Sequence, residues 1–344
     1  MGVYRKMARK DSNKQLLRIL LGLVAPVFTL ALSAMSGRYH ISFSSLIKQL
    51  LGGASQPDQE IQLILLYGRL PRSLLALITG GSLSVAGLIL QGTFQNPLVS
   101  PDIIGVTAGA SFGAALAIVA WDLTLVGVQF WAFACGLIAT IAAFLLARAT
   151  GQRSTANLVL AGIIVNALCS AGVSLLKYVA DPFQKLPSLE FWLMGGFYTS
   201  TWEDLGSVIL PLSLGIGTIW LLRWQLNLLA QGEEVALSLG SNVSRVRFTL
   251  VMAAAILVAA GVSVAGMVGW IGLVGPHIVR LLVGNDYSKN LLLSFSIGGS
   301  LLLLADILAR TITSAEIPIS IVTALVGAPC LAYLLRKAGR GFWL

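Results

Sequence analysis

The chain has 344 residues, 56% of them hydrophobic and only 11% charged, with a formal net charge of +9. Soluble domains carry about 25% charged residues, and folding removes at most about three-quarters of a chain's surface from water. A soluble enzyme is therefore excluded and a polytopic membrane protein is implied.

Six basic residues from Arg5 to Arg18 precede an apolar run that lasts to Ser36. The run is long for the core of a signal peptide. It reads as an uncleaved first span behind a short inner tail, residues 1–15. Further apolar runs at 63–90, 103–121, 126–147, 157–179, 205–224, 246–267, 268–284, 291–309 and 317–335 bring the total to ten spans of about 20 residues each. The fold class is all-α and polytopic, with one transmembrane domain over 1–344. Residues 63–90 exceed what a bilayer needs, so they tilt or project. Residues 268–284 are short and contain Pro276, so they form a short or broken helix.

Ten spans place both termini on one side. Sixteen of the 23 basic residues then share that side. Arg38, Lys48, Arg69, Arg72, Lys177, Lys185 and Arg310 are left on the other. The cationic side is the cytoplasmic one, which argues against a nucleic-acid surface. Arg69, Arg72 and Arg310 stand outside against the trend.

Ser84-Val-Ala-Gly87 recurs as Ser263-Val-Ala-Gly266, and Pro97 and Gly105 recur at the same offset as Pro276 and Gly284. Five spans separate the copies, so they run in opposite directions. That is the inverted repeat of transporters, or else a small-residue packing motif used twice.

Segment 225–247 is the longest polar stretch on the side of the termini. Glu233 and Glu234 open a short helix, where the dipole favours acids. Val235, Ala236 and Leu239 share one face, and Gly240 stops the helix. Ser241 or Asn242 caps the next helix. The segment is either a knob for a partner's cleft or a loop folded on its own domain. Cys135, Cys169 and Cys330 are scattered, and His40 and His277 alone make no metal site. The chain lacks the Gly-x-x-x-x-Gly-Lys-Ser/Thr phosphate loop, so it hydrolyses no ATP. It is expected to be no enzyme and to bind neither cofactor nor metal of its own.

One set of motifs spans the chain. It begins with Gly68-Arg-Leu-Pro-Arg72, Gly80-Gly81, Gly87, Gln91 and Gln95-Asn-Pro-Leu-Val-Ser-Pro-Asp-Ile-Ile-Gly105. It continues with Ser154-Thr155, Leu160-Ala-Gly162, Trp192, Met194-Gly-Gly-Phe197, Gly232-Glu233, Leu239-Gly240, Gly266 and Gly272-Leu-Val-Gly-Pro-His277. It ends with Ala305-Asp306, Arg310, Glu316-Ile-Pro318, Gly327-Ala-Pro329 and Lys337-Ala-Gly-Arg340. From about residue 15 onward this resembles the permease subunits of type II ABC importers for iron-siderophores, haem and vitamin B12, the FecCD permeases.

The resemblance implies a ten-span subunit in the bacterial cytoplasmic (inner) membrane with both termini cytoplasmic. It implies a second permease subunit, the same chain or a relative, so a homodimer or heterodimer. Two cytoplasmic ATPase subunits carry ATP and Mg, and a periplasmic or lipid-anchored binding protein delivers the ligand. The cargo expected is a ferric siderophore or similar chelate, with haem or vitamin B12 as the alternative. An ion-coupled secondary transporter is the more distant rival. By resemblance, Arg69, Arg72 and Arg310 dock acids of the binding protein. Gly232, Glu233, Glu234, Ala236, Leu239 and Gly240 form the ATPase coupling element. Asn96, Leu98, Thr155 and Ala156 narrow the pathway at its cytoplasmic end. The residues themselves also allow helix capping at Ser154 and Asn157, and an i,i+4 pair between Asp306 and Arg310.

Overall fold

The computed structural model describes residues 2–37, 39, 41–42, 44, 59–149 and 154–338. Arg38, His40, Lys48, Arg153 and Arg340 lie outside them.

Helices account for nearly all of the described residues, and no strand is among them. We number them α1 (Gly2–Met35), α2 (Leu70–Thr93), α3 (Val106–Ala115), α4 (Leu125–Ala149), α5 (Thr155–Val179) and α6 (Lys185–Met194). After these come α7 (Trp202–Ala230), α8 (Glu233–Ser238), α9 (Val243–Ala265), α10 (Ile271–Val283), α11 (Tyr287–Thr311) and α12 (Ile319–Ala338). α2 continues Gln59–Leu63 and a π-helical stretch, Ile64–Arg69, while α3 runs on as a π-helix, Leu116–Ala120. Six helices are long and apolar enough to cross a membrane, and four more are shorter apolar helices. These ten match the ten expected spans. α6 and α8 are the two short helices between spans, at opposite ends of the bundle.

Two boundaries differ from expectation. α1 is helical back to Gly2, so residues 2–15 continue the helix of the first span. α7 runs to Ala230 and α9 starts at Val243, so the segment between spans is 231–242 rather than 225–247. In both cases polar residues continue a helix that the apolar run began, because the backbone pattern outlasts the bilayer.

The start of α1 and the close of α12 lie toward the α8 end. Arg18 in α1 donates to the Val283 carbonyl at the close of α10 (3.3 Å). α12 starts at the other end, where the Ile319 amide meets the Gly195 carbonyl just after α6 (3.1 Å). Among the described residues, Arg223, Arg280 and Lys289 lie toward the α8 end, and Arg69, Arg72 and Arg310 toward the other.

α2 forms the centre of the bundle. The most apolar window of its helix is 83% buried, against 22% in α5. α2 packs on α9, α10 and α11 and runs antiparallel to α9. The Trp202 indole donates to the Leu66 carbonyl at one end of the bundle (2.8 Å), and the Gln95 amide donates to the Leu229 carbonyl at the other (2.8 Å).

Pro276 explains one contact in detail. Proline has no N–H for the carbonyl four residues back, so Gly272 O is left open inside α10. Gln91 of α2 donates its side-chain amide to that oxygen (3.4 Å). The approach requires Gly87, because a Cβ there would lie 1.7 Å from the same oxygen. Loss of a backbone hydrogen bond in apolar surroundings costs several kcal/mol, and Gln91 offsets it.

α4, α5, α7 and α12 carry the outer apolar surface. Leu168, Leu221 and Leu325 are 68%, 79% and 72% exposed. Such continuous apolar exposure suits lipid or a partner subunit, not water.

Candidate functional site

At the α6 end Arg72 and Arg310 meet two acids, and Arg69 lies beside them. Arg72 forks onto Asp306 (Nε–Oδ1 3.0 Å, Nη2–Oδ1 2.8 Å) and onto Glu316 (Nη1–Oε1 3.1 Å, Nη2–Oε2 2.9 Å). Arg310 donates to the Ser33 carbonyl (2.9 Å) and hydroxyl (2.6 Å) of α1, and its Nε lies 3.5 Å from Asp306. Arg69 donates to the carbonyls of Ala34 and Tyr39. The network ties α1, α2, α11 and the 312–318 turn together. Bidentate arginine–carboxylate pairing is the strong form of this interaction.

Arg69, Arg72 and Arg310, expected to dock acids of the binding protein, already hold partners within this chain. Asp306 is fully buried, the Arg72 side chain is 11% exposed, and Arg69 and Arg310 are 6% and 8% exposed. A guanidinium cannot be left unpaired in such surroundings, so each has taken internal acceptors. The i,i+4 contact of Asp306 with Arg310 exists, but Arg72, from another helix, is its better partner. Glu316, for which the sequence suggested no role, is the most exposed of the paired groups. Beside it, outside the spans, the Tyr198 hydroxyl pKa is pushed up by burial first and by the Glu316 carboxylate next.

At the α8 end the polarity is reversed. α8 lies between two glycines in left-handed backbone, Gly232 (φ +125) and Gly240 (φ +77), which L side chains rarely adopt. Ala236 is fully buried, while Val235, Leu237 and Leu239 are 38%, 59% and 63% exposed. The expected apolar face of Val235, Ala236 and Leu239 is thus split: only Ala236 faces the chain's own domain. Glu233 pairs with Arg247 of α9 and anchors α8 to it. Asn242, not Ser241, caps α9 by accepting from the Arg245 amide (3.1 Å).

Asn96, Leu98, Thr155 and Ala156, expected to narrow the pathway, fall at the same end. The Asn96 Oδ1 accepts from the Leu98 amide (2.9 Å) and holds its own turn. Ser154 accepts from the Asn157 amide (3.3 Å), so the cap exists. Thr155 is half-buried, and Leu98 and Ala156 are exposed. The turn reaches α5 through Pro101–Ile104, where a Cβ on Gly162 would lie 1.9 Å from the Ile103 carbonyl.

The FecCD transport family model matches residues 24–337. The chain belongs to that family. The molybdate import permease MolB of Haemophilus influenzae is 41% identical over 94% of this chain and 97% of its own length. The hemin permease HmuU of Yersinia pestis is 39% identical over 93% of this chain. A solved chain described as an inward-facing conformation of a candidate metal-chelate type ABC transporter superposes with a TM-score of 0.85. It shares 39% identity and covers 93% of this chain and 99% of that one.

This FecCD protein is accordingly the multi-pass permease of an ABC importer, not a catalytic subunit. A permease of this kind works with an ATPase and a substrate-binding protein. His277, a tempting metal ligand, places its Nδ1 3.3 Å from Arg280 Nη2, and Arg280 also donates to Gln91. This polar group between α2 and α10 was not legible from sequence: His277 and Arg280 are helical neighbours, but Gln91 lies 189 residues from Arg280 and only packing brings it to them.

Proposed function

We propose that this chain carries a ferric siderophore or a similar metal chelate into the cytoplasm. The chelate arrives on an external binding protein, and a pair of such permeases forms the path. The α8 end faces the cytoplasm. The observation that carries the mechanism is α8 itself, a short helix between two left-handed glycines with Val235, Leu237 and Leu239 turned outward. An ATPase cleft that covers these three side chains transmits its motion through Glu233–Arg247 into α9. Asn96, Leu98, Thr155 and Ala156 lie at this end and narrow the path.

At the opposite end, an acid of the binding protein engages Arg72 by taking the place of Glu316, the more exposed of its two acids. Arg69 and Arg310 hold the base on which Arg72 stands. The chelate reading rests on relatives named for hemin, iron chelatin and Fe(3+)-citrate and on the metal-chelate type neighbour. A second reading, molybdate, is favoured by the likeness to MolB; a relative named for cobalamin adds vitamin B12.

The test is uptake by cells lacking the gene beside complemented cells. The panel is labelled ferric hydroxamate, ferric catecholate, ferric citrate, haem, vitamin B12 and molybdate, with ATP depleted or the membrane gradient collapsed. ATP-dependent loss of one iron chelate is the expected result. Loss of molybdate or vitamin B12 uptake instead overturns the chelate assignment. Loss that follows the gradient alone overturns the ATP-driven mechanism.

A further inference from the structure

A cavity of about 1100 Å³ lies between α1, α7 and the first turns of α11, at the α8 end. Three cations line it: Arg18, Arg223 and Lys289. They face one carboxylate, Asp286, which Lys289 Nζ meets at 2.9 Å. Asp286 is already held by the Asn227 amide (3.2 Å) and the Ser288 hydroxyl (3.0 Å). The cavity therefore keeps an excess of positive charge. Arg18 Nη2 donates to the Val283 carbonyl, but its buried Nε has no hydrogen-bond partner among the described residues.

The walls are not those of a water-filled cleft. Arg223 stacks over the Trp220 ring at 4.1 Å. Leu23, Trp224 and Leu292 flank the opening and are 66%, 67% and 69% exposed. In a membrane protein those side chains meet acyl chains, and tryptophan settles at the level of the headgroups. One cavity thus joins apolar walls open to lipid with three cations at the depth of two tryptophans.

We propose that this cavity binds an anionic phospholipid, its phosphodiester headgroup among Arg18, Arg223 and Lys289 and its chains along Leu23, Trp224 and Leu292. Basic pockets between spans are suited to such headgroups, and each cation near the surface contributes about fivefold in affinity. The lipid bridges α1 to α7, two helices on either side of the α11 start. The inference does not depend on which cargo is carried.

The test uses the full-length permease in nanodiscs doped with brominated phosphatidylglycerol or brominated phosphatidylcholine. The fluorescence quenching that disappears in Trp220→Phe/Trp224→Phe reports the cavity. The wild type is expected to show a several-fold preference for the anionic lipid, and Arg18→Gln/Arg223→Gln/Lys289→Gln to abolish it. Gly22→Phe keeps every charge and fills the mouth. A Cβ at Gly22 meets nothing within 4 Å, so the side chain starts in open space, and this variant, checked for wild-type thermal unfolding, is expected to lose the preference too. Equal quenching by both lipids in the wild type overturns the proposal, as does a preference that survives in Gly22→Phe. Displacement of the lipid by soluble glycerol phosphate identifies a free phosphate monoester as the ligand instead, and overturns the lipid reading.

Discussion

The two ends of the bundle solve opposite problems. At the α6 end, charged side chains are turned inward: Asp306 is fully buried, and Arg72, Arg310 and Arg69 close around it and the nearby carbonyls. At the α8 end, apolar side chains are turned outward: Val235, Leu237 and Leu239 project from a helix anchored by Ala236 and Glu233. The first end pairs its charges within one chain. The second leaves apolar surface for a partner to cover. Mutations at the first end should therefore register in stability, and mutations at the second in coupling.

The largest expected effect comes from Asp306→Ala. It strands Arg72 and Arg310 in a buried site, where removal of one partner costs about 3–5 kcal/mol. Thermal unfolding of the purified permease in detergent measures it, and a change below about 1 kcal/mol would mean that the α6 end is not held by this network.

Next is Leu237→Asp/Leu239→Asp. Stability should stay within about 0.5 kcal/mol of wild type, as for other exposed positions. Affinity for the ATPase should fall by about 2 kcal/mol, roughly thirtyfold, as read by co-purification and by ATP-driven uptake in liposomes. Coupled transport at the wild-type rate removes α8 from the mechanism.

Glu233→Gln sits between the two ends in character. It breaks a pair whose acid is 43% exposed, so the stability loss should be on the order of 1 kcal/mol or less. The position of α8 should loosen more than the fold melts. Faster hydrogen exchange confined to 231–242 is the expected signature.

The smallest effect is a pH dependence at Asp286, which caps α11. Burial works against its charged form, but hydrogen bonds from Lys289, Asn227 and Ser288 outweigh it and hold its pKa at about 2. A depressed carboxyl pKa contributes stability above its ordinary value of 3.8, and that contribution is lost as pH falls toward 2. The melting difference between wild type and Asp286→Asn should therefore be constant near neutral pH and shrink through the acid range. A difference that grows on acidification contradicts the capping role.

Much of the architecture was legible in the sequence because lipid imposes a simple rule. Every span must satisfy its own backbone in about 20 apolar residues. Ten such runs, their cationic side and the proline that interrupts α10 follow from that rule. The glycines bounding α8 were legible for a similar reason, since backbone chirality is local.

What the side chains meet was not legible. Arg72 reaches Asp306 and Glu316 across more than two hundred residues, and only the packing of α2 on α11 brings them together. The repeated four residues make the same point. In α2, Gly87 continues the helix and lets Gly272 of α10 come close. In α9, Gly266 turns left-handed (φ +67) and ends the helix against Trp192 and Gly195. The residues are identical, so local propensity cannot separate them. The neighbouring helix decides, because at these sites a carbonyl occupies the volume where a side chain would otherwise stand.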